Sequence, residues 1–460
     1  MSASLFDLNI EEVLDNWEVH HAVRELIANA LDEQLISGTG DIRIGKDDRG
    51  DWHVRDLGRG LRIEHFTQNE DKEKLSFAHG VIGRFGVGLK DALATFHRHN
   101  VQVAIRSKYG TYELCEAQKH NFDRITTLHV RYDDSPVDMA GTDVVLRGVS
   151  ESDVVRAKSL FLRFSEQEML DVTAYGEILR RRGADARVYI MGVLANEEPN
   201  FLFSYNITSL TDAMKKQLNR ERLNVGRTTY TDRLRSMLKA AISPAVQEAL
   251  ANQVLARASG GQCDEIQWID VYQHALNLLH ARRPVAYVTE DELSGRPDVV
   301  DQMRRDGYTP VVVTEAAKAK LDDQMDSGGQ QVRTLEAYEE EYNQSFQYRF
   351  VEPARLTPGE RQVLSLTPRL LELVGAAGPR APQVRVSETM RITGDETGGV
   401  WDPAQGAIIV KRSKLASAVE YAATLLHEVA HAVTGTADAT RAFEEVLTEY
   451  LGRASARALR

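Results

Sequence analysis

Two cysteines in 460 residues, Cys115 and Cys263, are too few for a disulfide framework or a cysteine-rich zinc site. Prolines number only 12 and aromatics make up 7%, so collagen-like and low-complexity readings fail. A basic excess is also missing. Lys and Arg total 56 against 68 Asp and Glu, for a formal charge of −12. That disfavours a broadly basic nucleic-acid coat but leaves room for a local basic groove. No apolar run approaches the ~20 residues that span a bilayer. Met1 to Asn16 carries Asp7, Glu11, Glu12 and Asp15, which argues against a signal or transit peptide. What remains is ordinary globular composition, 42% hydrophobic and 27% charged, in a chain long enough for two to four domains. The expectation is a soluble protein of a reducing cytoplasm with no membrane partner.

Apolar spacing predicts a helix over Glu18–Ile36, with Val23, Ile27, Leu31 and Leu35 at four-residue steps. Alternating runs at Asp41–Ile44 and Asp51–Val54 predict a hairpin. A glycine-dense stretch, Gly80–Gly88, opens into a helix at Leu89–Phe96. Strands are expected at Val101–Arg106, Thr111–Ala117, Thr127–Tyr132 and Thr142–Leu146. The next region predicts strands at Arg187–Leu194 and Asn200–Tyr205 and a long basic helix over Thr211–Ala241. Arg257–Gly261 reads as a linker, and Pro284–Thr289, Asp298–Asp306 and Thr309–Thr314 as a βαβ unit. Asp322–Gln347 is acidic and weakly patterned. From Pro358 onward a helix, β-strands, a long helix and a short helix are expected. The fold class is α+β multidomain.

Three pieces of the N-terminal region carry nucleotide chemistry. Glu25, Asn29 and Asp32 share one helical face. Asn29 can give Mg²⁺ an uncharged oxygen, and Glu25, one turn away, can hold an attacking water. Asp56-Leu-Gly58-Arg-Gly60 follows a strand, and Asp56 can accept from an exocyclic amine such as that of adenine. Gly80-Val-Ile-Gly83-Arg-Phe-Gly86-Val-Gly88-Leu-Lys90 ends at a helix start, where freed backbone N–H groups and the helix dipole cradle phosphates.

In this order the three pieces resemble the GHKL ATPases: gyrase-type topoisomerases, MutL, the heat-shock ATPase chaperones, histidine kinases and MORC proteins. A Gly-Thr opening a late strand, Gly141-Thr142, completes the pattern. The resemblance implies a Bergerat α/β sandwich over residues 1–150, in which Glu25 activates water, Asn29 binds Mg²⁺, Asp56 reads adenine with Thr142 behind it, and the Gly80–Lys90 lid closes over the phosphates of ATP. It also implies a transducer-like domain over residues 151–255. There Leu218-Asn-Arg220-Glu-Arg-Leu-Asn224 is similar to the chaperones' loop-helix, with Arg220 as the γ-phosphate sensor. A small α/β domain over residues 262–325 and a linker over residues 326–357 would follow.

The last hundred residues carry a second constellation. His427-Glu428-Val-Ala-His431 lies in an apolar helix with a capping box, Ser417-Ala-Val-Glu420, and a stop at Gly435. Histidines at i and i+4 can meet one Zn²⁺, and Glu428 beside them can take a proton from a water held there. A third ligand is needed. Glu444 borders the buried stripe of the next helix, Thr440–Leu451, and is chosen over Glu445 and over Asp438 in the connecting turn. Residues 358–460 resemble a zincin metallopeptidase of the gluzincin type. The strand Gly406–Lys411 is similar to the edge strand on which such enzymes align substrate. The gap between the second histidine and the glutamate is shorter than in thermolysin-type enzymes.

The two halves together lead us to expect an ATP-binding and ATP-hydrolysing regulator controlling a zinc-dependent endopeptidase that acts on protein substrates, as a homodimer, in a setting such as bacterial stress or anti-phage defence. The alternative is a chaperone-like or DNA-clamping ATPase whose zinc domain is structural. Whether nucleic acid is bound stays open.

Overall fold

The computed structural model describes residues 4–10, 15–67, 81–82, 88–119, 125–217, 225–257, 260–261, 263–322, 324–379, 381–393 and 397–459. The chain is a mixed α/β multidomain protein with several separate sheets. It divides into two compact units, Met1–Leu279 and His280–Arg460. Among the described residues no helix is long and apolar enough to cross a membrane.

The first unit opens with a seven-stranded sheet: β1 (Ser4–Asp7), β2 (Arg43–Lys46), β3 (Trp52–Arg55), β4 (Gln102–Ser107), β5 (Gly110–Gln118), β6 (Thr126–Asp133) and β7 (Thr142–Arg147). The strand order is β1-β6-β5-β4-β7-β3-β2, and every pair is antiparallel. Helices α1 (Val19–Ser37), α2 (Gly88–Arg98) and α3 (Glu151–Ser159) bury their apolar faces in the core with Val103, Ile105, Val144 and Leu146. Val23 and Ile27 are fully buried, but Leu35 is 47% exposed. A four-residue step overshoots the helical turn by about 40°, so three steps carry Leu35 well off the core face. Gly38, at φ 62°, ends α1.

A second sheet follows, β8 (Met169–Thr173), β9 (Gly176–Arg180), β10 (Ala186–Ile190), β11 (Val193–Glu198) and β12 (Phe203–Ile207), in the order β11-β10-β12-β9-β8. The strand expected over Arg187–Leu194 is in fact a hairpin. Met191 and Gly192 take φ of 53° and 79° and reverse the chain. In the region read as one long basic helix, Asp212–Gln217 and α4 (Arg227–Ala240) are helical, while Arg220 and its motif at 218–224 lie outside the described residues. Helices α5 (Pro244–Arg257) and α6 (Ile269–His280) follow.

In the second unit β13 (Val285–Val288) and β14 (Thr309–Val312) pair in parallel with α7 (Pro297–Arg305) between them, as the pattern predicts. The stretch read as weakly patterned contains α8 (Leu335–Gln344), whose Leu335 and Tyr338 join the βαβ core. Only these few apolar positions interrupt its acidic sequence, so the periodicity is faint. Beyond α9 (Thr367–Val374) come β15 (Gln383–Ser387), β16 (Gly399–Asp402) and β17 (Ala407–Lys411), then α10 (Ala418–Thr434) and α11 (Arg441–Ala458). The order β15-β17-β16 corrects one expectation. The strand ending at Lys411 is central, and β16 is the edge strand packed beside α10. Full burial of Ile408, Ile409 and Val410 explains the placement: both faces of that strand are covered.

Candidate functional sites

In the first unit, successive turns of α1 touch the segments expected to surround a nucleotide. Glu25 Oε1 accepts from Arg24 Nε and Nη2 at 3.1 and 2.8 Å. Its other oxygen lies against Gly88 at the start of α2, where an added Cβ would come within 2.2 Å. Asp32, 1% exposed, accepts from the Ile82 N–H at 2.5 Å. Glu33 holds Arg59 through both carboxylate oxygens. Asn29 is partly buried between these turns, and Lys90 is partly buried in the first turn of α2. Gly83, Gly86 and most of the Gly80–Lys90 lid lie outside the described residues.

Asp56 is 6% exposed, and its Oδ1 accepts from the N–H groups of Gly58 at 2.8 Å and Thr142 at 3.3 Å. Burial pushes its carboxyl above the usual range, and Glu33 adds to the rise. Thr142 Oγ1 in turn accepts from the Leu61 N–H at 3.0 Å, just past Gly60, which itself sits at φ +88°. Asp56 and Thr142, predicted as partners, are thus one hydrogen-bonded pair at the foot of β3 and β7. Gly141 makes it possible: at φ +74°, any Cβ would stand 2.2 Å from the Asp56 carbonyl oxygen. Gly141→Ala is expected to cost on the order of 1–3 kcal/mol and to displace Asp56. Urea unfolding and nucleotide titration of the same variant check both.

Sequence reasoning missed Arg24. It is 1% exposed, stacks over Trp17 at 5.1 Å, and aims its guanidinium at Glu25, while its Nη1 is buried without a partner among the described residues. The available signal was a cation on the same buried stripe as Val23, Ile27 and Leu31.

In the second unit, α10 has the predicted boundaries. The Ser417 side chain accepts from the N–H groups of Val419 and Glu420, and Gly435 closes the helix at φ 62°. Nε2 of His427 and Nε2 of His431 stand 3.2 Å apart. Asp438 Oδ1 lies 3.0 Å from the first and 3.1 Å from the second. Donors around a tetrahedral Zn²⁺ at about 2.0–2.1 Å stand roughly 3.3 Å from one another, so this triangle fits that ion. His431 Nδ1 lies 2.8 Å from the Thr436 carbonyl oxygen. An Nδ1–H donating there leaves the Nε2 lone pair facing the other two donors. Desolvation lowers the pKa of His427, which keeps the neutral ligand form at neutral pH.

Glu444, expected as third ligand, is exposed and does not join the group formed by His427, His431 and Asp438; Glu445 pairs with Arg441 at 2.9 Å. The face that α11 turns to the histidines is Phe443, 3% exposed, with its ring 4.4 Å from that of His431 and 4.9 Å from that of His427. An apolar wall on the following helix leaves the third carboxylate to the turn before it. Glu428 is 6% exposed, beside the Gly399 backbone of β16; a Cβ on Gly399 would meet the Glu428 Cγ at 2.9 Å. Burial raises its pKa, and Asp438 adds to the rise, while His431 and the Trp401 N–H, donating from β16, hold it back.

Fold and sites define a multidomain α/β chain with buried carboxylates, Asp32 and Asp56, in one unit and a two-histidine, one-aspartate cluster in the other. A family profile described as the Mycoplasma pneumoniae MPN635 N-terminal domain matches residues 152–244, the stretch that contains the five-stranded sheet. The chain is similar to an uncharacterized protein of Mycoplasma pneumoniae (strain ATCC 29342 / M129 / Subtype 1), 37% identical over 242 residues, 52% of this chain and 97% of that protein. It belongs to that protein's family. A second uncharacterized protein of the same strain is 28% identical over 139 residues, 29% of this chain but only 39% of the relative.

Proposed function

We propose that this chain is an ATP-regulated zinc peptidase: a GHKL-type ATPase of the Bergerat fold whose nucleotide cycle controls a zincin-like C-terminal domain. The observation that carries the reading is the meeting of His427, His431 and Asp438 within one ligand-sized triangle, one residue from the buried Glu428. Those three residues would hold Zn²⁺, with Asp438 taking the place first given to Glu444. When bound, Zn²⁺ supplies Lewis-acid polarisation of the scissile carbonyl and of the attacking water. Glu428 accepts a proton from the nucleophile and delivers it to the leaving amine. An extended protein substrate laid along β16 would pass directly beside that carboxylate.

In the first unit, Glu25 would be the base for ATP hydrolysis, Asn29 would hold Mg²⁺ with Asp32 on the same helical face toward the nucleotide, and Asp56 with Thr142 would read the adenine amine. The hydrogen-bonded Asp56–Thr142 pair at the foot of adjacent strands supports that assignment. Most of the lid and Arg220, which the sequence assigns to the phosphates, lie outside the described residues; ATP would join two protomers through their N-terminal domains. Such a switch meets a physical need, since an ungated cytoplasmic protease cleaves indiscriminately.

The test pairs metal analysis with proteolysis. Purified protein is expected to hold one zinc per chain and to cleave unfolded protein only with ATP, and Glu25→Ala is expected to lose the nucleotide response while keeping the metal. Zinc-loaded protein that cleaves nothing under any nucleotide condition refutes the peptidase and leaves the chaperone-like or DNA-clamping ATPase with a structural zinc.

A further inference from the structure

The turn between α10 and α11, residues 435–440, carries Asp438, and two of its residues are left-handed. Gly435 stands at φ 62° and Ala439 at φ 57°. Glycine takes that conformation freely, whereas alanine brings its Cβ too close to the following carbonyl oxygen. Among the described residues three other non-glycines share the region. Asn9 and Asn100 are of a type that tolerates it, and Met191 turns a hairpin with Gly192. Ala439 has neither reason. It is exposed, so burial of its methyl group does not offset the strain. It lies directly after Asp438 and directly before Thr440, the N-cap of α11.

Threonine hydroxyls brace this turn at its ends. Thr434 Oγ1 donates to the Ala430 carbonyl at 2.8 Å, and Thr436 Oγ1 donates to Thr434 Oγ1 at 3.0 Å. Thr440 Oγ1 lies 3.0 Å from both Thr436 Oγ1 and the Ala437 carbonyl. It also accepts from the N–H of Phe443, whose ring packs on both imidazoles. Nothing comparable holds the middle. Among the described residues the Asp438 carboxylate has no hydrogen-bond or ion-pair partner besides His427 and His431. With its ring proton on Nδ1, His431 presents Nε2 as an acceptor, and the carboxylate is an acceptor too. Two acceptors 3.1 Å apart repel each other unless a cation lies between them.

Backbone strain and facing lone pairs therefore both oppose the placement of Asp438, and a divalent cation offsets both at once. We propose that Ala439 is a positioning residue for the metal. Its left-handed conformation is taken up as the cation binds, so residues 435–440 form a latch that zinc draws onto the site and that relaxes when zinc leaves. The inference rests on the zinc reading above and adds what sets the affinity of that site. The steric cost of a left-handed alanine corresponds to a factor of roughly 5–30 in an equilibrium constant. Zinc binding is weakened by that factor, and the site gives up its metal more readily than its three ligands alone would dictate.

Zinc affinity of the full chain, read by competition with a chromogenic chelator, tests this with two substitutions at one exposed position. Ala439→Gly should tighten zinc about fivefold, the relief of strain less the extra freedom of glycine. Ala439→Val, whose branched side chain resists the left-handed region, should weaken zinc about tenfold. Neither should move the thermal midpoint of the zinc-free protein. Hydrogen exchange of the wild type needs no variant to fold: zinc should slow the amides of residues 438–440 at least about tenfold. Equal affinity in the three proteins, or amides protected equally with and without zinc, would show a turn fixed by its threonines. Either result would overturn the inference and leave the zinc site in place. No zinc bound by any of the three would overturn the zinc reading itself, and this inference with it.

Discussion

Glu428→Gln is expected to lower peptide cleavage by about 10³-fold or more while leaving bound zinc and thermal stability unchanged. The substitution keeps shape and removes only the ability to accept a proton. Glu428 sits in a narrow slot between α10 and Gly399, and an amide oxygen can still accept from the Trp401 N–H. His427, His431 and Asp438 meet without its help. Metal content measured beside kcat/KM therefore separates a lost base from a lost site. Cleavage that persists in Glu428→Gln would show that the carboxylate has no part in chemistry. A paired comparison tests the ligand set: Asp438→Asn should weaken zinc affinity at least about tenfold, and Glu444→Gln should leave it unchanged. Zinc competition against a chromogenic chelator reads both without any substrate.

The parts of the sites that were legible are those written in local spacing. Ser417, Gly435 and two histidines four apart specify a capped helix with both imidazoles on one side, and α10 has those limits. Glu25, Asn29 and Asp32 likewise follow from helical geometry alone. Choosing among Glu444, Glu445 and Asp438 required knowing which side of α11 meets α10, and that is decided by Phe443 packing on both imidazoles. The Met191–Gly192 reversal was hidden because apolar residues continue through it on both sides. Strand order was beyond reach for a similar reason. β4 and β7 pair across some forty residues, and the burial that ranks β17 as central comes from segments distant in sequence. Arg24 was missed because a buried cation breaks the rule by which core positions are recognised, and its ion pair with Glu25 is what offsets its burial.

The second large effect concerns Glu265 in the first unit, which is not among the residues assigned to either site. Its side chain is fully buried, and Oε1 accepts from the N–H groups of Leu202 at 2.7 Å and Phe203 at 3.3 Å and from the Tyr205 hydroxyl at 2.8 Å. Oε2 is buried without a partner among the described residues. Desolvation pushes the carboxyl up to about 7 despite those donors. The folded state thus keeps a proton that the unfolded chain releases near its ordinary value of 4.5. Stability from this group is complete below that value and is lost as pH rises through about 7. The gap corresponds to roughly 3 kcal/mol. His20 and His21 act in the opposite sense, because burial lowers both, His21 to about 4, and they favour the folded state as pH rises. The informative quantity is therefore the difference between wild type and Glu265→Gln, which keeps the Oε1 acceptor and cannot ionise. Hydrogen-exchange protection of β12 amides, corrected for intrinsic rates, should favour the variant increasingly from pH 5 to pH 8. Parallel pH profiles in the two proteins would mean that Glu265 does not ionise in that range, and that its three donors hold it in one charge state throughout.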